Sequence, residues 1–260
     1  MIKLVVFDWA GTTIDFGCFA PVAAFIESFA QVGVSVTPAQ ARVPMGLHKR
    51  DHIVAMLRLS EVTAEWQRVK GRDWTNDDVD RLFDGFIPLQ MSVIDRHSQL
   101  ISGVLEAVGE LRAMGIKIGS TTGYFREAAE RVRSAATNAG YTPDCSLIPE
   151  DVSAGRPYPW MIYRIMEMLN IYPPTSVVKI GDTIPDIEEG RNAGVWSLGV
   201  TTTGSEVGLT PTEWNTLSAK DQQTKRVAAE TKLRNAGAHA IMESIAELPA
   251  WIRQHNESSR

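Results

Sequence analysis

Four short, β-rich apolar runs punctuate this chain, at Leu4 to Phe7, Ile116 to Ser120, Val177 to Ile180 and Val195 to Val200. Helical patterns of about ten to fifteen residues separate the later runs. Runs this short and this continuously apolar suit strands covered on both faces, and alternating helices supply the cover. The pattern predicts an α/β fold built on a doubly wound parallel sheet. From Pro21 to about Gln99 the rhythm changes. Val22-Ala23-Ala24-Phe25-Ile26, Ile53-Val54-Ala55-Met56-Leu57 and Val79 to Met91 recur at helical spacing without a convincing strand. This stretch reads as a helical insertion, entered through Phe16-Gly17 and Pro21 and left through Ser98 to Gly103. The expected division is an α/β core of residues 1–16 and 100–260 with an inserted helical cap domain of residues 17–99.

A chain of 260 residues is long enough to bury a core in each part. Its 26 basic and 31 acidic residues are mixed along the chain, which offers no broad basic surface for nucleic acid or anionic lipid. An anionic substrate must therefore be held by a local site. Two cysteines, Cys18 and Cys145, are too few for a disulfide framework and form no zinc pattern, so a reducing compartment is expected. The first apolar run is too short for a signal segment, and none approaches the roughly 20 apolar residues that span a bilayer. These features predict a cytoplasmic protein with a small-molecule substrate and no membrane partner. The polar tail Asn256 to Arg260 is expected to fray.

Open parallel sheets bind ligands beyond the carboxyl ends of their strands. There this sequence turns polar: Asp8-Trp9-Ala10-Gly11-Thr12-Thr13, Thr121-Thr122-Gly123-Tyr124 and Gly181-Asp182-Thr183-Ile184-Pro185-Asp186, with Gly155-Arg156-Pro157-Tyr158-Pro159 between the last two. One such Asp alone is ordinarily a helix cap or a loop residue. Together they read as one site.

These residues resemble the four motifs of the haloacid dehalogenase superfamily. More narrowly, Asp8 to Thr13 followed by Phe16-Gly17-Cys18-Phe19-Ala20-Pro21, Pro44-Met45-Gly46-Leu47-His48-Lys49, Gly119 to Tyr124 and Ala154 to Trp160 resemble the phosphonoacetaldehyde hydrolase (phosphonatase) family. The resemblance runs from about residue 2 to at least Gly194. It implies Asp8 as a nucleophile that forms an aspartyl-phosphate, and Mg2+ held by Asp8, the Ala10 carbonyl and Asp182, with Asp186 orienting the shell. Hard oxygen ligands suit that ion. Thr122 and the Gly123 amide are expected to hold phosphate oxygens, with Thr121 as the alternative to Thr122, and Arg156 to supply a permanently charged fork. Relatives of this type are homodimers, for which the apolar cap helices offer a surface.

Position 10 narrows the chemistry. Most phosphatases of the superfamily carry an acid two residues after the nucleophile to protonate a departing alcohol, and here that residue is Ala10. Cleaving a C–P bond demands an electron sink instead, and an imine formed with an aldehyde β to phosphorus provides one. The resemblance puts the Schiff-base lysine at Lys49. A lysine that attacks a carbonyl must be partly neutral, so a closed site is expected to lower its pKa. His52, three residues on, would share a helix face with it and could move protons. The implied reaction is hydrolysis of phosphonoacetaldehyde to acetaldehyde and phosphate in 2-aminoethylphosphonate degradation. Cys18, Tyr124 and Met45 are expected to line the pocket, though Cys18 and Tyr124 have an ordinary packing role as their alternative. Trp9 is expected to pack beneath the cap. His97, His239 and His255 show no acidic or histidine partner at useful spacing, and Trp66, Trp74, Trp214 and Trp251 read as core or interface residues. Two rival readings are a phosphatase acting on sugar phosphates or nucleotides, which leaves Ala10 unexplained, and a non-catalytic phosphoanion-binding module.

Overall fold

A computed structural model describes residues 1–258 of the chain. Strands β1 (Leu4–Phe7), β2 (Lys117–Thr121), β3 (Cys145–Leu147), β4 (Val177–Gly181), β5 (Trp196–Val200) and β6 (Ala240–Met242) form one sheet. Their order is β3-β2-β1-β4-β5-β6 and every pairing is parallel. The four apolar runs became β1, β2, β4 and β5. The outer strands β3 and β6 are only three residues long, too short to show a period in sequence. All of β1 is buried, as a central strand covered on both faces must be. Phe7 pairs with Ser120 on one side and Ile180 on the other, so Asp8, Thr121 and Gly181 emerge at one level. Strand order reverses at β1, and the crevice beside it is where such sheets bind ligands.

Helices α1 (Phe19–Gln31), α2 (Pro38–Arg42), α3 (Lys49–Leu57), α4 (Ser60–Lys70) and α5 (Asn76–Val93), then a 3-10 turn at Ile94–His97, lie between β1 and β2. This insertion has its own apolar centre, where α1 and α3 pack on α5. Phe25 and Phe29 of α1 face Val79, Leu82 and Phe86 of α5, all at helical spacing and all buried. Each such side chain contributes roughly 1.5–3 kcal/mol when fully buried. Thr75 and Asp78 form a capping box that starts α5.

The remaining helices cover the sheet: α6 (Val104–Ala113), α7 (Arg126–Asn138), α8 (Trp160–Met168), α9 (Ile184–Asn192), α10 (Pro211–Thr216), α11 (Ala219–Asn235) and α12 (Leu248–Ser258). No helix among the described residues is long and apolar enough to cross a membrane. Large exposed apolar side chains gather on and around α8, at Tyr158, Trp160, Tyr163, Met168 and Tyr172. The insertion, by contrast, exposes Val43. The tail departs from its expected fraying: α12 continues to Ser258, and the Asn256 side chain accepts a hydrogen bond from the Ile2 amide at 2.7 Å. Ser259 and Arg260 lie outside the described residues.

The two connections of the insertion run side by side. Ile14 and Leu100 form an antiparallel bridge, Ile101 N donates to Thr13 O at 2.9 Å, and Asp15 N donates to Gln99 O at 3.3 Å. The Asp15 carboxylate accepts from Phe19 N (3.1 Å) and Ala20 N (3.0 Å), two of the donors that a helix start leaves unpaired. Its Oδ1 also lies 3.2 Å from His97 Nδ1. His97 therefore does have an acidic partner, one that sequence spacing hid because it sits on the opposite connection.

Candidate active site

Asp8 stands one residue beyond β1, with its amide donating to Ile180 O at 2.9 Å. Asp182 follows β4 in the same way. Its Oδ1 accepts from Thr12 Oγ1 (3.0 Å) and its Oδ2 from the Ser205 amide (2.8 Å). The close approach requires Gly11, whose φ is +85° and where a Cβ would lie 2.5 Å from Asp182 Oδ2. Asp186 sits in the first turn of α9, where its Oδ2 accepts from Thr183 Oγ1 at 2.5 Å and from Thr183 N at 3.2 Å as part of a capping box. Asp8, Asp182 and Asp186 are all buried, and each offers an oxygen within 4.8 Å of the others.

Two buried cations face these acids. Arg156 Nη2 donates to Asp8 Oδ1 (2.7 Å) and to Thr121 O (2.8 Å), Nη1 lies 2.9 Å from Asp186 Oδ1, and Nε donates to Glu189 Oε2 (3.1 Å). Lys179, in the middle of β4, places Nζ 2.8 Å from Asp186 Oδ1, 2.8 Å from Thr121 Oγ1 and 3.3 Å from Glu189 Oε2. Burial, and then repulsion from Asp186, push the Asp8 carboxyl up to about 6 against the pull of Arg156. Asp182 is driven well above the carboxylate range by burial and by Asp8. Asp186 is buried too, yet Arg156 and Lys179 hold it below its ordinary value.

The insertion closes over this centre. At Gly123, just past β2, a Cβ would collide with the Leu47 and Gly46 carbonyl oxygens. A Cβ on Gly46, whose φ is +96°, would likewise strike the Thr183 side chain. Asp8, Ala10, Cys18, Met45, Lys49, Thr122, Gly123, Tyr124 and Arg156 line one cavity of about 20 Å³, room for about one water. Lys49 opens α3 and is buried, its Nζ 5.0 Å from the centre of the Tyr124 ring. Burial lowers its pKa, opposed by Cys18 and Asp8. Burial also pushes the thiol of Cys18 and the phenol of Tyr124 well up, so both stay protonated.

Two residues, His52 and Trp9, sit differently from their expected places. His52 is buried at the base of α3, stacked on Phe25 with ring centres 3.9 Å apart, and does not line the cavity. Its Nε2 meets the Ala41 carbonyl at 2.9 Å, which requires the proton on Nε2 and leaves the buried Nδ1 lone pair without a hydrogen bond among the described residues. Burial and then Lys49 hold it neutral, its pKa well below 6.5. Trp9 packs in the core rather than beneath the insertion, edge-on to Tyr141 and donating to Ser120 Oγ at 3.1 Å. Thr121 points its hydroxyl at Lys179 and Glu189, so Thr122 is the threonine that lines the cavity.

Lys179 and Glu189 escaped the sequence reading, although a signal existed. A lysine inside the otherwise apolar Val177-Val178-Lys179-Ile180 had to be paired once that strand was central and buried on both faces. Counting them, four buried acids (Asp8, Asp182, Asp186, Glu189) stand against two buried bases (Arg156, Lys179). Burial disfavours the charged form of Lys49, the third base at the site, so the acids outweigh the bases. Burial raises both Asp8 and Asp182, with added repulsion from Asp186 on the first and from Asp8 on the second, and their donors are hard oxygens, so this residue set fits a divalent oxygen-loving cation.

Comparison with known proteins agrees with this geometry. The haloacid dehalogenase-like hydrolase model matches residues 2–194. A phosphonoacetaldehyde hydrolase of Bacillus cytotoxicus is 46% identical over 251 residues, covering 96% of this chain and 95% of its own. A bifunctional phosphonoacetaldehyde hydrolase/aminoethylphosphonate transaminase of Clostridioides difficile is 45% identical, covering 99% of this chain and 41% of its own. The crystal structure of a phosphonoacetaldehyde hydrolase-like protein from Oleispira antarctica superposes with a TM-score of 0.96 at 42% identity, covering 98% of this chain and 93% of the other. A six-stranded parallel sheet with acids at its central strand ends, a helical insertion closing over them, and full-length identity of this order mean that the chain belongs to the phosphonoacetaldehyde hydrolase family of haloacid dehalogenase-like hydrolases.

Proposed function

We propose that the protein hydrolyses the C–P bond of phosphonoacetaldehyde, giving acetaldehyde and phosphate. One observation carries this reading: Lys49 and Asp8 line the same closed cavity, and the position two residues after the nucleophile, where phosphatases carry their acid, holds Ala10. An ester hydrolase would need an acid there for the leaving alcohol. A carbon leaving group needs a buried amine, which is what Lys49 offers.

The neutral Lys49 amine adds to the aldehyde carbonyl and loses water, leaving an imine that is protonated at nitrogen. Burial favours the neutral amine of Lys49, and His52, a buried imidazole outside the cavity, stays neutral and so adds no second charge beside it. Asp8 then attacks phosphorus, and the C–P electron pair passes into the iminium to give a neutral enamine. Protonation at carbon and hydrolysis release acetaldehyde and free Lys49, and water attack on the aspartyl-phosphate frees phosphate and Asp8. Arg156, Thr122 and the Gly123 amide hold the phosphoryl oxygens. Asp8, the Ala10 carbonyl, Asp182 and Asp186 would hold Mg2+, which when bound offsets the negative charge of nucleophile and phosphoryl group. Cys18, Met45 and Tyr124 wall the aldehyde end. A cavity of about 20 Å³ is too small for the substrate, so residues 17–99 act as a cap that opens to admit it and closes before chemistry.

The setting follows from the same reading. A relative fused to an aminoethylphosphonate transaminase supports a place in 2-aminoethylphosphonate degradation, and two unpaired cysteines suit the cytoplasm. The exposed aromatic and Met side chains about α8 support a homodimer formed through the core rather than through the cap helices. The deciding experiment is borohydride reduction of the enzyme with phosphonoacetaldehyde, followed by peptide mass mapping. A two-carbon adduct on Lys49, absent without aldehyde, is expected. Phosphate release with no adduct would remove the imine from the mechanism, and neither adduct nor release would favour the phosphatase reading.

A further inference from the structure

Arg156 has a long, flexible side chain on a turn between elements, so its own backbone does little to aim the guanidinium. Its surroundings do more. Glu189 lies on α9, which is pressed on the sheet at Gly190, where a Cβ would stand 2.7 Å from Ser197 Oγ. Lys179 lies in the central strand β4 and is fully buried. Between them, Thr121 Oγ1 accepts from Lys179 Nζ (2.8 Å) and Arg156 Nη2 (2.9 Å) and donates to Glu189 Oε2 (3.0 Å). That same Oε2 accepts from Arg156 Nε, while Oε1 is buried with no hydrogen bond among the described residues. Three donors thus converge on one oxygen of a carboxylate that never reaches the cavity.

We propose that Glu189, braced by Lys179 and Thr121, is a positioning residue for Arg156: it pins the Nε edge so that Nη2 meets Asp8 and Nη1 meets Asp186, which aims the fork at the phosphoryl group that Asp8 receives. The inference rests on the phosphonatase reading for the identity of the anion and on geometry for everything else. A rigid carboxylate behind a guanidinium fixes the plane of the fork, and a misdirected fork loses one of its charge-assisted bonds. Lys179 keeps the arrangement from drawing Asp186 away, because it supplies that carboxylate with a second cation at 2.8 Å.

The test substitutes Glu189→Gln and measures inorganic phosphate binding by calorimetry in the presence of Mg2+. The dissociation constant is expected to rise roughly tenfold or more, the size of a charge-assisted hydrogen bond. KM for the phosphonate should rise with it, and borohydride trapping of acetaldehyde on Lys49, which involves no phosphorus, should be unchanged. In an Arg156→Ala background the same substitution should change phosphate binding by less than about twofold, since it acts through Arg156. A folded Glu189→Gln protein with unchanged phosphate affinity would overturn the proposal and leave Glu189 a mere counter-ion for Lys179. Should the variants not fold, the wild-type Arg156 Nε–H resonance decides: protection from exchange with phosphate bound supports the clamp, and fast exchange overturns it. Failure of wild-type enzyme to release phosphate from phosphonoacetaldehyde would defeat the functional reading alone, because the phosphate-binding comparison stands without that substrate.

Discussion

A methyl group at position 10 leaves Lys49 and Asp8 facing one another across the cavity with no second acid between them. Ala10→Asp would set a carboxylate beside Lys49, favour its ammonium form and raise its pKa. The ascending limb of the kcat/KM profile for the phosphonate should move to higher pH, and turnover at neutral pH should fall. An unmoved profile would mean that Lys49 ionisation does not govern the reaction. Lys49→Arg should remove both adduct and turnover while leaving far-UV circular dichroism and Mg2+ binding intact. Much at this scale was legible in sequence, because Asp8, Thr122, Asp182 and Asp186 belong to short local motifs at strand ends. The clamp behind Arg156 was not. Glu189 lies 33 residues from Arg156 and 68 from Thr121, and nothing but the fold brings them together.

On the proposed mechanism, the elements that move are the insertion and its two connections. Gly123→Ala would put a Cβ into the Leu47 carbonyl oxygen, so the insertion could not seat. Turnover should drop on the order of a hundredfold, the usual result of displacing a catalytic group by about 1 Å. Thermal stability should hold, since the sheet is untouched. The connections carry a pH-sensitive contact. The hydrogen bond that His97 donates to the Asp15 carboxylate raises the pKa of this half-buried imidazole above its unfolded value near 6.5, against partial desolvation. The pair's contribution is therefore full below about pH 6.5 and is lost as pH climbs through the higher folded value. Melting temperatures of wild type and His97→Gln should differ most at pH 6 and converge above pH 8. A gap that stays constant with pH would show that the ion pair contributes nothing. The helical character of residues 21–99 was readable from periodicity, but the crossing of one connection by the other's histidine was not, because spacing along a chain says nothing about two segments that meet antiparallel.

At the scale of the molecule, the four buried acids gathered around Arg156 and Lys179 at the site store repulsion that a bound divalent cation relieves. Mg2+ at a hundredfold excess over its dissociation constant adds about 2.7 kcal/mol to the folded state, and in a chain of this size that raises the melting temperature by roughly 5 °C or more. A chelator should reverse the shift, and Asp182→Asn should abolish it. Trp160→Glu, on the apolar face of α8, should convert a dimer to a monomer in sedimentation equilibrium; a wild-type monomer would dismiss the dimer outright. The sheet's centre could be read from four apolar runs, whereas its three-residue edges carry too few side chains to announce themselves. The bridge between Ile14 and Leu100 has a consequence for how such a molecule diversifies. Because the chain leaves the sheet and returns to it at adjacent points, everything from residue 17 to residue 99 can change in length or sequence without altering strand order. On the proposed reading, recognition of what is attached to phosphorus is thus carried largely on an exchangeable cassette, while the machinery for phosphorus itself is fixed in the frame.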